Sequence, residues 1–411
     1  MTAAVGPLTI ERLGRRGDGV AAGPDGPLLA AMTLPGEVIE GEVEAGRIRA
    51  PRILTPSPDR VRAPCRHYRA CGGCSLMHAS DDFVAGWKRQ VVQTALAAQG
   101  LDVEIAEIST SPPRSRRRAV LSGRRTKKGA LVGFHARGSD VIVDLADCHV
   151  LRPEITAALP ILRELVTTGA SRSVEVTLTV IHGPAGLDVA ARGGKPMDAA
   201  LFAALAAICE AGDLARLDWD GQPITRRPPA LPMGRAQVVP PPGAFLQATA
   251  EGEAALLAAV QTATSGAGRI LDLFAGIGTF ALPLAERADI HAVEGLAAPL
   301  DAMDTAWRRA PGLHRITREV RDLARRPLLP DELRSFDAIV IDPPRAGAEP
   351  QAHAIAASNV QDVVSIACDP VTFARDARIL AAGGYEIMRI GVVDQFRWTP
   401  HVEVHAHFRR R

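Results

Sequence analysis

Hydrophobic and polar positions change their period twice along this chain. Between residue 7 and about residue 55, short β-like runs (LTIERL, LLAAMTLPGEVIEGEVE, RIRAPRIL) alternate with glycine turns such as GRRGDGVAAGPDGP, which predicts a small β-barrel. Thr55-Pro-Ser-Pro then reads as a stiff linker. From about 81 to 245 the pattern is mixed: helix-like WKRQVVQTALAAQG, DVIVDL, a helix over 153–169, strands VEVTLTVIHG and GLDVAARG, and no internal repeat. Gly221 to Pro242 is rich in proline and reads as loop. After the helix EGEAALLAAVQTAT, the stretch RILDLFAGIGTFALPLAERADIHAVEG gives strand, glycine loop, helix and strand, a βαβ unit. FDAIVID adds another strand, and Val363 to Ala367 reads as one buried on both faces, closed by Cys368-Asp-Pro. The expected class is α/β in three parts: 1–57, 58–245 and 246–411.

Composition narrows the picture. With 411 residues, 47% hydrophobic and 23% charged, the chain can build several cores. No apolar run approaches the roughly 20 residues that cross a bilayer, and no basic segment followed by an apolar core opens the chain, so a cytoplasmic protein without membrane contact is expected. Six cysteines are too few for a disulfide scaffold, and in a reducing compartment their clustering points to metal or catalysis. Net charge is +2, yet eight basic residues lie between Arg114 and Lys128 with no acid among them: Arg114, Arg116, Arg117, Arg118, Arg124, Arg125, Lys127 and Lys128. On paired strands such a run is either a solvated face or a surface that tracks phosphates.

Candidate chemistry falls in five places. Cys65, Cys71 and Cys74 have five and then two residues between them, with Gly72 and Gly73 letting the backbone wrap a centre; Cys148 is the candidate fourth thiolate. Zinc and an iron–sulfur cluster both suit that set. Cys209, in an alanine-rich helix, reads as core. In the βαβ unit, Gly276 and Gly278 allow a tight turn under a ligand, and Glu294, 22 residues after Asp272, can accept both ribose hydroxyls of a nucleoside. The pattern also fits G-x-G-x-x-A through Ala281, which leaves a nicotinamide dinucleotide open; Asp272 and Phe274 favour the D-x-F-x-G-x-G form of S-adenosylmethionine (SAM) enzymes. Asp342-Pro-Pro has a fixed backbone at a strand tip, and Arg345 stands where amino-methylating enzymes carry an aromatic, which points to a ring carbon. Cys368 sits at the mouth of a sheet, where a helix N-terminus near Val371 would favour its thiolate and Asp369 would oppose it. Glu403 lies between His401 and His405, so it reads as a surface charge in an alternating strand or as part of an H-x-E-x-H metal trio.

Leu34-Pro-Gly-Glu-Val resembles the TRAM domain, an OB-type RNA-binding barrel, and C-x5-C-G-G-C followed much later by D-x-C resembles the 4Fe-4S site of RNA 5-methyluridine methyltransferases. Residues 7–411 together resemble the uracil-5 RNA methyltransferases whose ribosomal members carry both features. The resemblance implies a C-terminal Rossmann-like SAM methyltransferase domain, a TRAM barrel and a central α+β domain with a 4Fe-4S cluster on Cys65, Cys71, Cys74 and Cys148. It implies Cys368 as nucleophile on carbon 6 of a flipped uridine, Glu403 as the base that removes the carbon 5 proton, and SAM held by Gln247, Phe274, Thr279, Glu294, Asp322 and Asp342 over Gly276 and Gly278. The implied partner is RNA, with 23S rRNA favoured because tRNA-specific relatives usually lack cluster and barrel; a monomer is expected. A tRNA enzyme and a catalytically idle RNA-binding or assembly protein are the alternatives. Departures from the family are Thr279 for asparagine, Ala367 for serine and Ala248-Thr249 for Val-Asn.

Overall fold

The computed structural model describes residues 3–411. Strands β1 (Ala3–Leu13), β2 (Gly19–Gly23), β3 (Gly26–Ala30), β4 (Val38–Glu44) and β5 (Arg47–Thr55) close a barrel in the order β1-β2-β3-β5-β4. Alternate residues turn inward, so Ile10, Ala21, Ala30, Ile39 and Ile48 form its core. The Leu-Pro-Gly-Glu turn is built around a buried acid: Glu37 accepts from the backbone of Leu34 at 2.8 Å and of Ser57 at 3.2 Å, and from Arg60. The segment that reads as a spacer is thereby fastened to the barrel.

Helix α1 (Asp81–Ala97) and strand β6 (Glu107–Thr110) come next. The central unit is a seven-stranded sheet made of β7 (Arg118–Arg125), β8 (Ala130–His135), β9 (Ile142–Asp144), β10 (Glu175–Gly183), β11 (Gly186–Arg192), β12 (Arg216–Trp219) and β13 (Gln222–Thr225). Helices α2 (Pro153–Ala157), α3 (Leu159–Gly169) and α4 (Ala199–Ala211) belong to the same unit, and Leu162, Leu165, Val166 and Leu205 share a core with strand residues Leu121, Leu178 and Val189. Cys209 is buried in that core, as expected.

Two expectations need correction. The proline-rich stretch is not plain loop: it contains β13 and a hairpin of β14 (Leu231–Met233) and β15 (Ala236–Val238), whose inward Leu231, Met233, Ala236 and Val238 pack into the C-terminal core. Nor does 58–245 stay in one unit, because β6 pairs in parallel with the last sheet, with Gly391 opposite Glu107.

That last sheet has eight strands: β16 (Arg269–Leu273), β17 (Asp289–Glu294), β18 (Ile316–Val320), β19 (Ala338–Ile341), β20 (Asp362–Ala367), β21 (Tyr385–Asp394), β22 (Glu403–Arg410) and β6, in the order β18-β17-β16-β19-β20-β22-β21-β6. Its first five neighbours are parallel, and β22 runs antiparallel to both β20 and β21. Both faces are covered, which explains the continuous apolar runs. Successive residues Ala338, Ile339, Val340 and Ile341 enter opposite cores. One core takes α5 (Ala250–Ala263), α6 (Ala281–Leu284) and α7 (Ala297–Arg309); the other takes α1, α8 (Pro330–Leu333), α9 (Glu349–Ala356) and α10 (Pro370–Ala382). Among the described residues no helix is long and apolar enough to cross a membrane.

Candidate active site

In an open α/β sheet, ligands collect where the strand order reverses, outside the carboxyl ends. Here that point lies between β16 and β19. Leu273 pairs with Ile341, so Phe274 and Asp342 leave the two strands side by side. Phe274 takes a left-handed backbone, φ 63°, which costs a non-glycine residue about 1–2 kcal/mol. The two loop glycines are glycines for different reasons. A Cβ on Gly276 (φ 55°) would meet nothing within 4 Å, so the backbone faces open space where a ligand can lie against it. A Cβ on Gly278 would come within 2.7 Å of Met303 on α7, so this position serves packing. Glu294, at the end of β17, holds the loop: its carboxylate accepts from Gly276 N at 3.1 Å and from Leu296 N at 3.1 Å. A carboxylate has about four acceptor positions, so two remain for hydroxyls. Asp322 is exposed after β18, where it accepts from Ala324 N at 3.1 Å, and Thr279 is half-buried in the glycine turn.

Strand register brings the second group together. Ala367 pairs with Val404 and Val393 with Glu403, so Cys368, Glu403 and the residues just past Asp394 meet at one end of the sheet. Burial, followed by the nearby charges of Glu403 and Asp342, pushes the Cys368 thiol up to about 11. The expected activation by the α10 N-terminus is therefore not realised in the free protein; that terminus is capped by Asp369, whose carboxylate accepts from Val371 N and Thr372 N and also binds Arg15 of the barrel. Asp342 is pushed up to about 7 by burial. Burial and Asp342 raise Glu403, and burial, Asp342 and Glu294 raise Asp272, each well above the usual carboxylate range. A cation beside Asp342 would relieve the repulsion it exerts on both neighbours.

Gln395 carried no signal in the sequence. Its Oε1 accepts from Ala248 N at 2.7 Å, which fixes its amide so that Nε2 donates to Gln247 Oε1 at 2.6 Å; Gln247 is then turned so that its own Nε2 donates to Asp342 at 3.3 Å. A backbone N–H thus sets the polarity of the whole chain of bonds. Gln395 also bonds Glu403, and this holds that carboxyl's pKa down against burial. Next to it, buried Lys88 of α1 pairs with Asp394 at 2.5 Å. The departure at Thr249 keeps a structural task, since its hydroxyl caps α5 by accepting from Gly252 N at 3.0 Å.

The H-x-E-x-H reading fails. His401 precedes β22 and faces Arg345 at 3.4 Å, while His405 lies over Gly391 and approaches Glu107 at 3.8 Å. Among the described residues no group of three histidines, cysteines or acids closes around one metal ion. The four cluster cysteines lie within reach of one another's charge: burial raises Cys71, Cys74 and Cys148, and Cys74 is raised further by Cys148, Cys71 and Cys65. Gly72 lets the loop approach, because a Cβ there would lie 2.8 Å from His135 O. The loop is joined to the active-site end of the sheet, with Ser75 N and Leu76 N both donating to Trp398 O, at 2.9 and 3.0 Å.

The basic run is mostly spent internally. Arg117 is 9% exposed, pairs with Glu253 at 2.5 Å and donates to Gln247 O at 3.2 Å. Arg116 lies over the Phe396 ring, Arg118 donates to Ala244 O at 3.1 Å and Arg124 pairs with Glu175 at 2.9 Å. Only the tip of the β7–β8 turn, Lys127 and Lys128, is an open pair of charges within this run.

A doubly covered sheet in this order, with a glycine loop and strand-tip acids at its reversal point, is a SAM methyltransferase fold. A solved structure of Pyrococcus abyssi tRNA (uracil-54, C5)-methyltransferase in complex with S-adenosyl-L-homocysteine superposes with a TM-score of 0.77 at 22% identity, covering 98% of this chain and 99% of that one. Residues 308–411 match the tRNA (Uracil-5-)-methyltransferase family. An uncharacterized RNA methyltransferase of Brucella suis is 44% identical over 98% of this chain and 97% of its own length. The 23S rRNA (uracil(1939)-C(5))-methyltransferase of Chromohalobacter salexigens is 35% identical over 96% of this chain and 87% of its own. This chain belongs to the RNA uracil-5 methyltransferase family.

Proposed function

We propose that the protein methylates carbon 5 of a uridine in 23S rRNA through a covalent adduct on Cys368. One observation supports the reading: with Ala367 opposite Val404, Cys368 and the buried Glu403 lie at one end of the sheet, near enough to Asp342 for both acids to act on the thiol. Gln247, Phe274, Gly276, Gly278, Thr279, Glu294, Asp322 and Asp342 would hold the donor, with Glu294 on the ribose and the acids near the positive centres. Bound SAM supplies an electrophilic methyl group. Carbon 5 of uracil is a weak nucleophile until the Cys368 sulfur bonds to carbon 6 and pushes electron density onto carbon 5. After methyl transfer Glu403 takes the carbon 5 proton, and the electron pair it leaves expels the Cys368 thiolate. Arg345, whose charge lowers the thiol pKa, assists ionisation.

The uridine has to leave its stack to meet sulfur on one face and methyl on the other. The ribosomal assignment is supported by the name of the Chromohalobacter relative. Cys65, Cys71, Cys74 and Cys148 would hold a 4Fe-4S cluster, a reading supported by the spacing they share with the family's cluster site and by the charges of the other three thiols acting on Cys74. Such a cluster would tie the central domain together.

Glu403→Gln tests the mechanism. The variant should transfer label from the SAM methyl group and stall as a covalent RNA adduct that survives denaturing electrophoresis. Cys368→Ala should form no adduct, and an adduct from it would refute the nucleophile. Comparing ribosomal RNA with tRNA transcripts as acceptors decides between the two substrates.

A further inference from the structure

A second cleft, with a volume of about 880 Å³, separates the barrel from α1. Arg12 and Arg15 stand on its barrel wall, Phe83 and Trp87 on its helix wall, and Pro370 and Val371 of α10 line it as well. Those last two residues open α10 directly after Cys368 and Asp369, so the cleft borders the turn that carries the proposed nucleophile. Phe83 and Trp87 are four apart and share a helix face. They pack against Leu13, Leu34 and Val84 and are only half-buried, so their rings are fixed from behind and open in front. Arg12 is exposed, and Arg15, 55% exposed at its side chain, reaches across to Asp369. Glu11 is the acid on the same rim, against two arginines.

We infer that this cleft receives the nucleotide adjoining the target uridine, its base against Phe83 and Trp87 and its phosphate between Arg12 and Arg15. The inference rests on the RNA substrate proposed above. A uridine drawn out of its stack leaves a neighbour unstacked, and unstacked bases are held on aromatic faces with cations on the backbone. The α1 wall is apolar beyond the rings, at Val91, Ala95 and Ala98; the two guanidinium groups on the opposite wall are what favour a nucleotide over a peptide helix. A phosphodiester can replace the Asp369 carboxylate as the partner of Arg15 without any new cation.

The test uses the full-length protein and an RNA fragment that the wild type methylates. Trp87→Ala should raise the KM for RNA about five- to a hundredfold, the range for one lost stacking contact, and Trp87→Phe should retain most of the affinity. Arg12→Glu should raise it as well and flatten its salt dependence by about 0.7 in log–log slope for the phosphate lost. The KM for SAM should stay unchanged in all three. Should Trp87→Ala fail to fold, Arg12→Glu and a crosslink decide: 4-thiouridine beside the target should attach to the 81–97 helix. A wild-type RNA KM and salt slope in Arg12→Glu, without that crosslink, overturns the inference and leaves the cleft to another partner. If the wild type methylates no RNA, the proposed function fails, and this inference with it; that outcome is distinct from an active enzyme whose variants are equally active.

Discussion

Lowering the pH should release the methyl donor, and Asp342 sets the range. Its carboxyl titrates near 7 in the free protein because burial disfavours the charge, yet a cationic ligand requires the charge. Binding to the ionised form alone weakens the apparent affinity by 1 + 10^(pKa − pH): about elevenfold at pH 6, about twofold at pH 7 and about 1.1-fold at pH 8. Titration calorimetry should thus show about a tenfold loss, about 1.4 kcal/mol, between pH 8 and pH 6, with a proton released on binding. Asp342→Asn should remove this slope and cost about 1.5–3 kcal/mol at pH 8, as for a charged hydrogen bond. Stability moves oppositely. A folded pKa above the unfolded value of about 3.9 contributes stability that is complete below that value and is lost as pH rises through 7. The free wild type should therefore lose melting temperature against free Asp342→Asn between pH 5 and 8, and saturating SAM should reverse the difference. An affinity that is flat or falls from pH 6 to 8 refutes the reasoning.

Gln395→Met should weaken SAM binding, because Gln247 loses the partner that turns its N–H toward Asp342. It should also move the alkaline-rising limb of the kcat–pH profile upward, since the bond from Gln395 holds the Glu403 pKa down. Arg117→Ala should lower stability by about 1–3 kcal/mol in a denaturant melt by leaving the partly buried Glu253 unpaired, with little effect on the RNA salt slope; Lys127→Ala with Lys128→Ala should do the reverse. Anaerobically purified protein should contain iron and sulfide near about four each per chain. One zinc and no sulfide would refute the cluster.

What the sequence disclosed was whatever depends on neighbours in the chain. The glycine loop, Glu294 and the run Val363 to Cys368 follow from spacing within one strand–turn–helix unit, and they stand where expected. Gln395 could not be found that way. Its value comes from the register of β21 against β22 and from Ala248, which is 147 residues away. Arg117 fails for a related reason: composition gives a charge but not its partner, and Glu253 lies beyond an entire domain. The 231–238 hairpin was hidden because its outward positions include Pro232 while its pattern spans only a few residues. Lys88 sits in an ordinary polar stretch of α1, and its distant partners Asp394 and Phe396 O explain why a lysine can be wholly buried there.

The carbonyl of Trp398 accepts two bonds from the cysteine loop, and its own loop begins at Gln395 and ends at Glu403. One short segment therefore answers to two foundations. Its inner end reaches Gln247 and Asp342 through Gln395, while its crest rests on the loop that carries Cys71 and Cys74. Under the mechanism proposed above, the base is only as well aimed as that support, and the geometry of proton removal is inherited from a domain that touches neither reacting atom.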